Sequence, residues 1–287
     1  MAKYLIIKNI EILKANANPA WYLVGPPALT AFHGFIQALL LTLVNEDINE
    51  TKNIIQHEGF AVVHHDIQML GSMNNFGNLF LPNKISSSHA YDKSDYVKEK
   101  VVLSSQPSAT CNLLIDLIIK LPKEINEINK SKIEEFLHKG KIAGGKINVA
   151  NKDVEPQIFT AENHSEILQY IKNGFYIVDR SDLLKAENEK TSLDMLLNKT
   201  KRLRDNKEKK DSWIVPNCVG YLCLTEFTNE FSSRNGYEVA YAEPVVTITQ
   251  YCSVKSMKKI PFWEWESEVK INNKKLFLLK EKKNESN

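Results

Sequence analysis

Two adjacent histidines followed by an aspartate, His64, His65 and Asp66, are the local group best suited to acid–base chemistry. An imidazole titrates near pH ~6.5, so a histidine here can act as a general base on a ribose hydroxyl. The group lies in a β-rich stretch, where neighbouring side chains alternate between faces, so we expect His64 and Asp66 to share one face. A half-buried sheet histidine that is hydrogen-bonded to a neighbour fits the same pattern, and both interpretations stay open.

A polar stripe of Thr30, His33 and Gln37 follows the spacing of one side of a helix. Such a stripe is either a solvated helix face or a surface that meets RNA. In the second interpretation, the N-terminus of the helix lies beside a phosphate.

The segment before this helix contains Asn16, Asn18 and Trp21 in a loop with three prolines. An exposed loop aromatic can stack on an unpaired base, which contributes roughly 1–3 kcal/mol per base. Asparagine amides can read base edges or ribose hydroxyls. Alternatively, Trp21 fills the end of the core.

Basic residues cluster although the net charge is only +2. The run Lys199–Lys210 reads KTKRLRDNKEKK, and a second group follows before the C-terminal strands. These runs are either solvated surface or contacts to RNA phosphates. The candidate contacts are Lys201, Arg202, Arg204, Lys255, Lys258 and Lys259.

Sequence signatures of common enzymes and cofactor sites are absent. There is no GK[ST] phosphate loop, GxGxxG, GxSxG or HExxH, and no acidic set is spaced for two metal ions. The four cysteines form no CxxC, which indicates buried thiols rather than a zinc site or disulfides. We therefore expect no cofactor and no metal.

The chain also lacks signals for a membrane or for export. Its longest apolar run, Leu39–Val44, is far shorter than the ~20 residues of a membrane span. The N-terminus does not have the pattern of a secretory signal. We expect a cytoplasmic protein that does not contact a membrane.

These candidate residues must be positioned by a mixed set of strands and helices. Apolar residues recur at helical spacing from Leu29 to Leu43, after a loop over Lys14–Pro27. Capping signals at Ser131/Glu134 and at Asn163/Glu166 predict two short helices. The predicted strands are Tyr4–Ile12, Gly59–Leu70, Asn112–Leu121, Phe175–Asp179, Ile214–Phe227 and Tyr237–Val254.

The order β-α-β, followed by further strands and short helices, predicts a single α+β domain over residues 1–287 with an antiparallel sheet. Residues 72–105 are polar and poor in aliphatic side chains, which predicts a projecting arm. A helix beginning near Ser192 carries the basic run into a loop over residues 199–212.

The segment Ala15–Gln37, ANANPAWYLVGPPALTAFHGFIQ, resembles the opening of a CRISPR protein family. This is the Csy-two family, the type I-F (Csy complex) backbone subunit that caps the 5′ end of the guide RNA. Its members also have an Asn-Ala-Asn run, a Trp- and Pro-containing loop and an Ala-Phe-x-Gly-Phe helix start. Further matches follow in order from about residue 4 to 265: Gly59–Ile67, AGGKI from Ala143, NGFYIVDRSDLL from Asn173 and VPNCVGY from Val215.

The resemblance implies a ferredoxin-like, RNA-recognition-like (RAMP) core with a projecting thumb, for which residues 72–105 are the candidate. It implies a non-catalytic subunit that binds the 5′ handle of the CRISPR RNA. It also implies pairing with the large subunit, thumb contact with the first repeated backbone subunit, and contact with target DNA through the assembled complex. The RNA-facing residues would be Asn16, Asn18, Trp21, Thr30, His33 and Gln37, with Arg180 as a further handle contact.

The chain departs from the family pattern in two respects. It is rich in Lys and Asn rather than Arg, which weakens bidentate phosphate contacts. Ala242, Glu243 and Pro244 stand where an Arg-bearing segment is expected. There is no long helical insertion that would replace a large subunit, so we expect recognition of the DNA protospacer motif to depend on a separate one.

Two other functions fit parts of the sequence. One is a ribonuclease of the same RNA-binding superfamily that processes CRISPR RNA with His33 or His64 as its base. The other is a protein-interaction module, in which the lysine runs keep the protein soluble while Trp263 and Trp265 form the contact.

Overall fold

The fold is described from a computed structural model, and Trp21, Lys201, Arg202 and Arg204 lie outside the described residues. So do the predicted basic loop 199–212 and all of the predicted arm 72–105 except residues 72–73 and 80–82. The described residues are 3–20, 22–44, 56–73, 80–82, 109–125, 128–152, 154–184, 196, 213–229, 237–271 and 274–282.

Three α-helices and twelve strands make up the described part of the chain. The helices are α1 (Leu29–Val44), α2 (Lys130–Lys139) and α3 (His164–Tyr170). The strands are β1 (Lys3–Asn16), β2 (Gly59–Met73), β3 (Phe80–Pro82), β4 (Thr110–Leu121), β5 (Lys141–Ile142), β6 (Gly145–Ile147), β7 (Gln157–Ala161), β8 (Phe175–Asp179), β9 (Ile214–Cys223), β10 (Ala242–Ser253), β11 (Trp263–Ile271) and β12 (Lys274–Glu281).

The strands pair antiparallel in the order β11-β12-β9-β10-β8-β2-β4-β1-β6-β5, with β3 on β2 and β7 on β1. The prediction of an α+β fold with a large antiparallel sheet is therefore confirmed. A further pairing of Trp263 with Phe60 joins β11 back to β2. This one residue pair closes a circuit of six strands, β11-β12-β9-β10-β8-β2.

The face of the central sheet that carries α1 holds the larger core. Phe32, Ile36 and Leu39 recur on one side of α1 and are fully buried. They belong to the same cluster as Leu5 and Ile7 of β1. Helix α2 adds Ile133 and Leu137 to this cluster, so both helices cover one face.

The opposite face of the central strands is also covered. Tyr4 and Ile6 alternate with the residues of the first core and pack in a second cluster. Helix α3 contributes Ile167 to it, and the segment after β10 contributes Val254 and Ile260. Burial on both faces explains the nearly continuous apolar runs of β1, β2 and β4.

A buried carboxylate, Asp116 of β4, lies between two β-bulges. The β1 bulge places Asn9 in the left-handed region, at φ 58°, and its backbone N–H donates to Asp116 Oδ1 at 2.8 Å. The β2 bulge places His65 so that its Nε2 lies 2.9 Å from Asp116 Oδ2. Asp116 is only 1% exposed, and the Asn9 N–H on one side and the nearby His65 imidazole on the other compensate for its burial.

The same arrangement recurs four residues earlier on β4. A second β1 bulge holds Lys14 at φ 56°, and its N–H donates to Asn112 Oδ1 at 3.0 Å. The amide of Asn112 reaches Gln68 of β2 at 3.5 Å. Two side chains of β4, Asp116 and Asn112, therefore each accept a hydrogen bond from a bulge of β1.

Several local predictions need correction. Strand β1 continues to Asn16, because its bulges let it pass Lys14, which the sequence pattern assigns to a loop. Helix α2 is capped by Asn129 rather than Ser131, whereas the Asn163/Glu166 cap of α3 is confirmed. Helix α3 ends at Tyr170, before Gly174.

The bulge in β2 also overturns the prediction that His64 and Asp66 share a face. The bulge lies between these two residues and shifts the alternation of side chains by one position. His64 contacts Phe32 of α1, while Ile67 rather than Asp66 packs on the same core.

Replacing Asp116 with Ala is expected to lower the free energy of unfolding by about 3 kcal/mol, because His65 and the Asn9 N–H lose their acceptor. Asp116→Asn keeps one acceptor oxygen and should lower the free energy of unfolding by a smaller amount. Asp66→Ala, at an exposed position on β2, is the control and should change stability by less than about 0.5 kcal/mol. Urea unfolding measures all three, and equal effects of Asp116→Ala and Asp66→Ala would contradict the assignment.

Gly220 should be intolerant of any side chain, because a Cβ there would lie 2.1 Å from the carbonyl oxygen of Phe277 on β12. We expect Gly220→Ala to cost about 3 kcal/mol or more by separating β9 from β12. A Cβ on Gly34 of α1 would meet no atom within 4 Å, so Gly34→Ala should stabilise by about 0.5–1 kcal/mol. Thermal melts of the two variants should move in opposite directions.

Candidate nucleic-acid interface

Four of the predicted RNA-facing residues line one cavity of about 310 Å³ at the end of β1. They are Asn16, Asn18, Thr30 and His33, and the structure therefore brings together residues from both the loop and the helix stripe. The lining is completed by Pro19, Ala28, Ala31, Ala143, Tyr221 and Trp265.

The loop after β1 is held in shape by its own asparagines. Asn16 Oδ1 accepts the backbone N–H of Asn18 at 2.9 Å. The Asn18 side chain accepts the N–H of Ala109 and donates to the carbonyl of Leu23 at 3.4 Å. Asn18 thus fixes the wall of the cavity, whereas the exposed Asn16 is the residue that a ligand can reach.

The N-terminus of α1 is tied to the sheet. The N–H of Leu29 donates to Oδ1 of the fully buried Asn217 at 3.2 Å, and the N–H of Ala31 donates to the carbonyl of Ala28 at 3.0 Å. These two donors are directed inside the protein. They are therefore not available for the phosphate that we expected beside this helix end.

His33 forms a neutral pair with His57. Its Nδ1 lies 2.7 Å from His57 Nε2, so one ring donates and the other accepts. The His33 ring also stacks on Trp265, with centroids 4.4 Å apart and planes 11° apart. Burial lowers the pKa of His33 to about 4, and burial together with His33 lowers the pKa of His57 to about 3.

The remaining polar wall is a pair of hydroxyls. Thr30 Oγ1 lies 3.3 Å from the hydroxyl of Tyr221, which is 41% exposed. With the amides and the neutral imidazole, the lining offers uncharged hydrogen-bonding groups only. Such groups suit a base edge or a ribose hydroxyl rather than a phosphate.

Positive charge lies next to this cavity, on the β5–β6 hairpin whose turn supplies Ala143. Lys141 and Lys146 are exposed and directly paired across the hairpin, and Lys146 also pairs with Leu13, next to Lys14. Like charges that face each other across strands are destabilising, unless an anion lies between them.

Neither these three lysines nor Tyr221 is among the contacts predicted from the sequence. The Gly144–Gly145 turn signal locates the hairpin, and the VPNCVGY match includes the tyrosine. However, only the strand pairing shows that both lie beside the cavity.

The other predicted contacts lie elsewhere. Gln37 is half-buried and does not line the cavity. Arg180 is bound to Gln250 and lies 3.4 Å from Asp182, so its guanidinium is engaged within the protein. Lys255, Lys258 and Lys259 are exposed on the segment between β10 and β11, which packs on the second cluster.

The geometry does not favour the proposed histidine bases. His64 is 3% exposed, and burial lowers its pKa to about 3. His33 reaches the cavity, but its lowered pKa makes it a weak base at neutral pH.

The tryptophans proposed as a protein contact are packed inside the fold. Trp263 is 1% exposed, and its indole N–H donates to the carbonyl of Ile177 at 3.0 Å. Trp265 stacks on His33 and lies parallel to Phe277.

Within the described residues, no group of three or more His, Cys, Asp or Glu side chains is arranged to hold a metal ion. The helices in that part of the chain are all too short or too polar to cross a membrane.

One protein family matches this chain over nearly its whole length. A family model described as CRISPR-associated protein (Cas_Csy2) matches residues 5–279. The matched region runs from β1 into β12 and includes every residue that lines the cavity. No curated protein sequence matches the chain.

The His33–His57 pair should make stability depend on pH. The folded pKa of His57, about 3, lies below its ordinary value of 6.5, so its contribution is complete above pH 6.5 and is lost as the pH falls. Between about pH 7 and pH 5 this histidine should remove about 2 kcal/mol of unfolding free energy. Urea unfolding of His57→Phe should show a correspondingly weaker pH dependence than the unsubstituted protein.

The exposed His138 provides the control for this measurement. His138→Phe should leave the pH dependence unchanged. If His57→Phe and His138→Phe behave alike, the buried neutral pair does not exist in solution.

Proposed function

Because the chain belongs to the Cas_Csy2 family of CRISPR-associated proteins, we propose that it is the subunit of a type I-F surveillance complex that holds the 5′ handle of the CRISPR RNA. Family membership itself makes it a CRISPR-associated subunit of the Csy type. The observation that supports RNA binding is the cavity beside Asn16, which has uncharged hydrogen-bonding walls, together with the three lysines on and beside the adjoining β5–β6 hairpin.

The strand order supports a ferredoxin-like RAMP core. Along the chain the central elements run β1-α1-β2-β4-α2-β7, while in space the strands lie in the order β7-β1-β4-β2. Helices α1 and α2 cover the same face. This order agrees with the split βαβ arrangement of ferredoxin-like domains, which many RNA-binding proteins use.

RNA would bind at the edge of this core rather than on the sheet. In RNA-recognition domains the sheet face opposite the helices stacks bases. Here that face is covered by α3 and by the segment that contains Val254 and Ile260. The cavity at the end of β1 is not covered by these elements.

The cavity and the adjacent lysines would contact different parts of the RNA. Asn16, Thr30 and Tyr221 would hydrogen-bond a base edge or a 2′-hydroxyl, which distinguishes RNA from DNA. Lys14, Lys141 and Lys146 would neutralise phosphates and fix the register without reading sequence. The lysines would also relieve their mutual repulsion by binding the anion.

We propose no catalytic role. The two candidate bases are a histidine sealed in the core and a histidine engaged by His57. Both have pKa values well below neutrality. A ribonuclease would need a base that reaches the ribose and titrates near the working pH.

The partners follow from the family assignment. The subunit would pair with a separate large subunit and contact target DNA only through the assembled complex. The arm over residues 72–105 would contact the first repeated backbone subunit. Its described base is a hairpin, in which Gly71, Ser72 and Met73 pair with Pro82, Leu81 and Phe80.

Binding of synthetic RNA with the repeat-derived 5′ handle tests the proposal, with scrambled RNA as competitor across a salt series. Lys141→Ala/Lys146→Ala should weaken binding about tenfold and reduce the salt slope by about 1.4, since two phosphate contacts to a single strand are lost. Tyr221→Phe and Asn16→Ala should instead reduce the preference for the handle with little change in slope.

Lys123→Ala/Lys274→Ala removes two exposed lysines away from the cavity and is the matched control. It should bind handle RNA as the unsubstituted protein does. Equal binding of handle and scrambled RNA by the unsubstituted protein, alone and with its large subunit, would refute the proposal.

A further inference from the structure

Trp213, at the start of β9, is 68% exposed and lies in the left-handed region at φ 64°. A bulky residue in this conformation is strained, and such strain persists only where the surrounding structure imposes it. Its carbonyl accepts the N–H of Tyr251 at 3.0 Å, so the sheet fixes its backbone. The fold thus holds the backbone of Trp213 in a strained conformation and its indole in solvent.

A second exposed aromatic ring lies against it. Phe175, the first residue of β8, is 40% exposed. The two rings stack with centroids 6.1 Å apart and planes 26° apart. Together they form an aromatic surface outside both hydrophobic clusters.

Four exposed lysines lie on the two segments that adjoin Phe175 along the backbone. Ser253 pairs with Phe175 and the N–H of Val254 donates to the carbonyl of Gly174 at 3.0 Å, so the segment after β10 adjoins β8. That segment carries Lys255, Lys258 and Lys259, and Lys172 precedes Phe175 by three residues.

Among the described residues, the three segments that meet here, 171–178, 213–218 and 250–261, contain no Asp or Glu. Asp211, two residues before Trp213, lies outside the described residues. On the adjoining β2, Asp66 is exposed, while His65 and Asp116 bind each other.

This surface is separate from the cavity at Asn16. Trp213 and Tyr221 stand at opposite ends of β9, eight residues apart, which is about 26 Å along an extended strand. No residue lines both.

We propose that Trp213, Phe175 and the four lysines bind a single-stranded polynucleotide, with a base stacked on Trp213 and the flanking phosphates neutralised by the lysines. Aromatic faces bordered by cations are the usual chemistry of single-strand binding. An apolar protein surface would instead desolvate the lysines without pairing them, which is costly. This activity goes beyond the proposed handle binding and uses a different face of the chain.

The chemistry of the surface is shared by RNA and DNA. Stacking and charge neutralisation do not read the 2′-hydroxyl. We therefore expect uridine and thymidine 20-mers to bind with similar affinity, both more tightly than a duplex of equal length.

The test measures binding of these labelled 20-mers to the full-length protein by fluorescence anisotropy, with handle RNA measured in parallel. Trp213→Gly removes the indole and also relieves the backbone, because glycine adopts a positive φ without strain. We expect this variant to stay folded and to bind the 20-mers at least fivefold more weakly. Lys255→Ala/Lys258→Ala should also weaken binding and should lower the salt slope by about 1.4.

Tyr241→Ala, which removes another exposed aromatic ring, is the control and should bind normally. The inference holds if Trp213→Gly lowers 20-mer affinity while handle binding is kept. It fails if Trp213→Gly binds the 20-mers as tightly as Tyr241→Ala does. It also fails if Trp213→Gly instead loses association with the other subunits, since the surface would then be a protein interface.

Discussion

The buried carboxylate of Asp116 is the constraint on which the central sheet depends. It lies in β4, the strand shared by β1 and β2. Strand β1 bulges to direct the Asn9 N–H at it, and β2 bulges to bring the His65 imidazole within 2.9 Å. Because a one-residue slip would bring an apolar side chain to this position, the donors select the register of three strands at once. Polar groups inside an apolar sheet therefore specify the alignment that the hydrophobic side chains alone would leave degenerate.

The geometry of the cavity depends on the second β1 bulge, which a β4 side chain holds in the same way. The second β1 bulge, fastened by Asn112, lets the strand continue past Lys14 to pair with the β5–β6 hairpin. Asn16 therefore ends beside Ala143 and the lysine pair instead of in an open loop. On the other wall, Asn217 of β9 fixes the start of α1, which holds Thr30 and His33 opposite Tyr221. A structural requirement of the sheet thus positions the groups that would meet RNA.

Periodicity and capping chemistry predicted much of the fold. The strand Phe175–Asp179 and the Asn163 cap were found because each depends on residues close in sequence. The bulges at Asn9 and His65 were missed, since each exists to serve a side chain more than 50 residues away. The site was predicted in part for the same reason: Asn16, Thr30 and His33 share one segment, whereas Tyr221 and Trp265 reach it only through the sheet. The local sequence pattern also cannot show that Arg180 donates a hydrogen bond to Gln250, because the two residues are far apart in the sequence.

The cavity is built from residues as far apart as Asn16 of β1 and Trp265 of β11, on strands that the sheet joins through β4 and β2. No contiguous fragment contains it, so the binding-competent state is the completed fold itself. A ligand that binds only this state is thermodynamically a folding partner: at a free concentration of 100 times its Kd it adds about 2.7 kcal/mol to global stability. If that ligand is RNA, as proposed, the subunit without RNA would be the form most exposed to proteolysis. Under the proposed function, turnover would then match the amount of this subunit to the supply of its ligand.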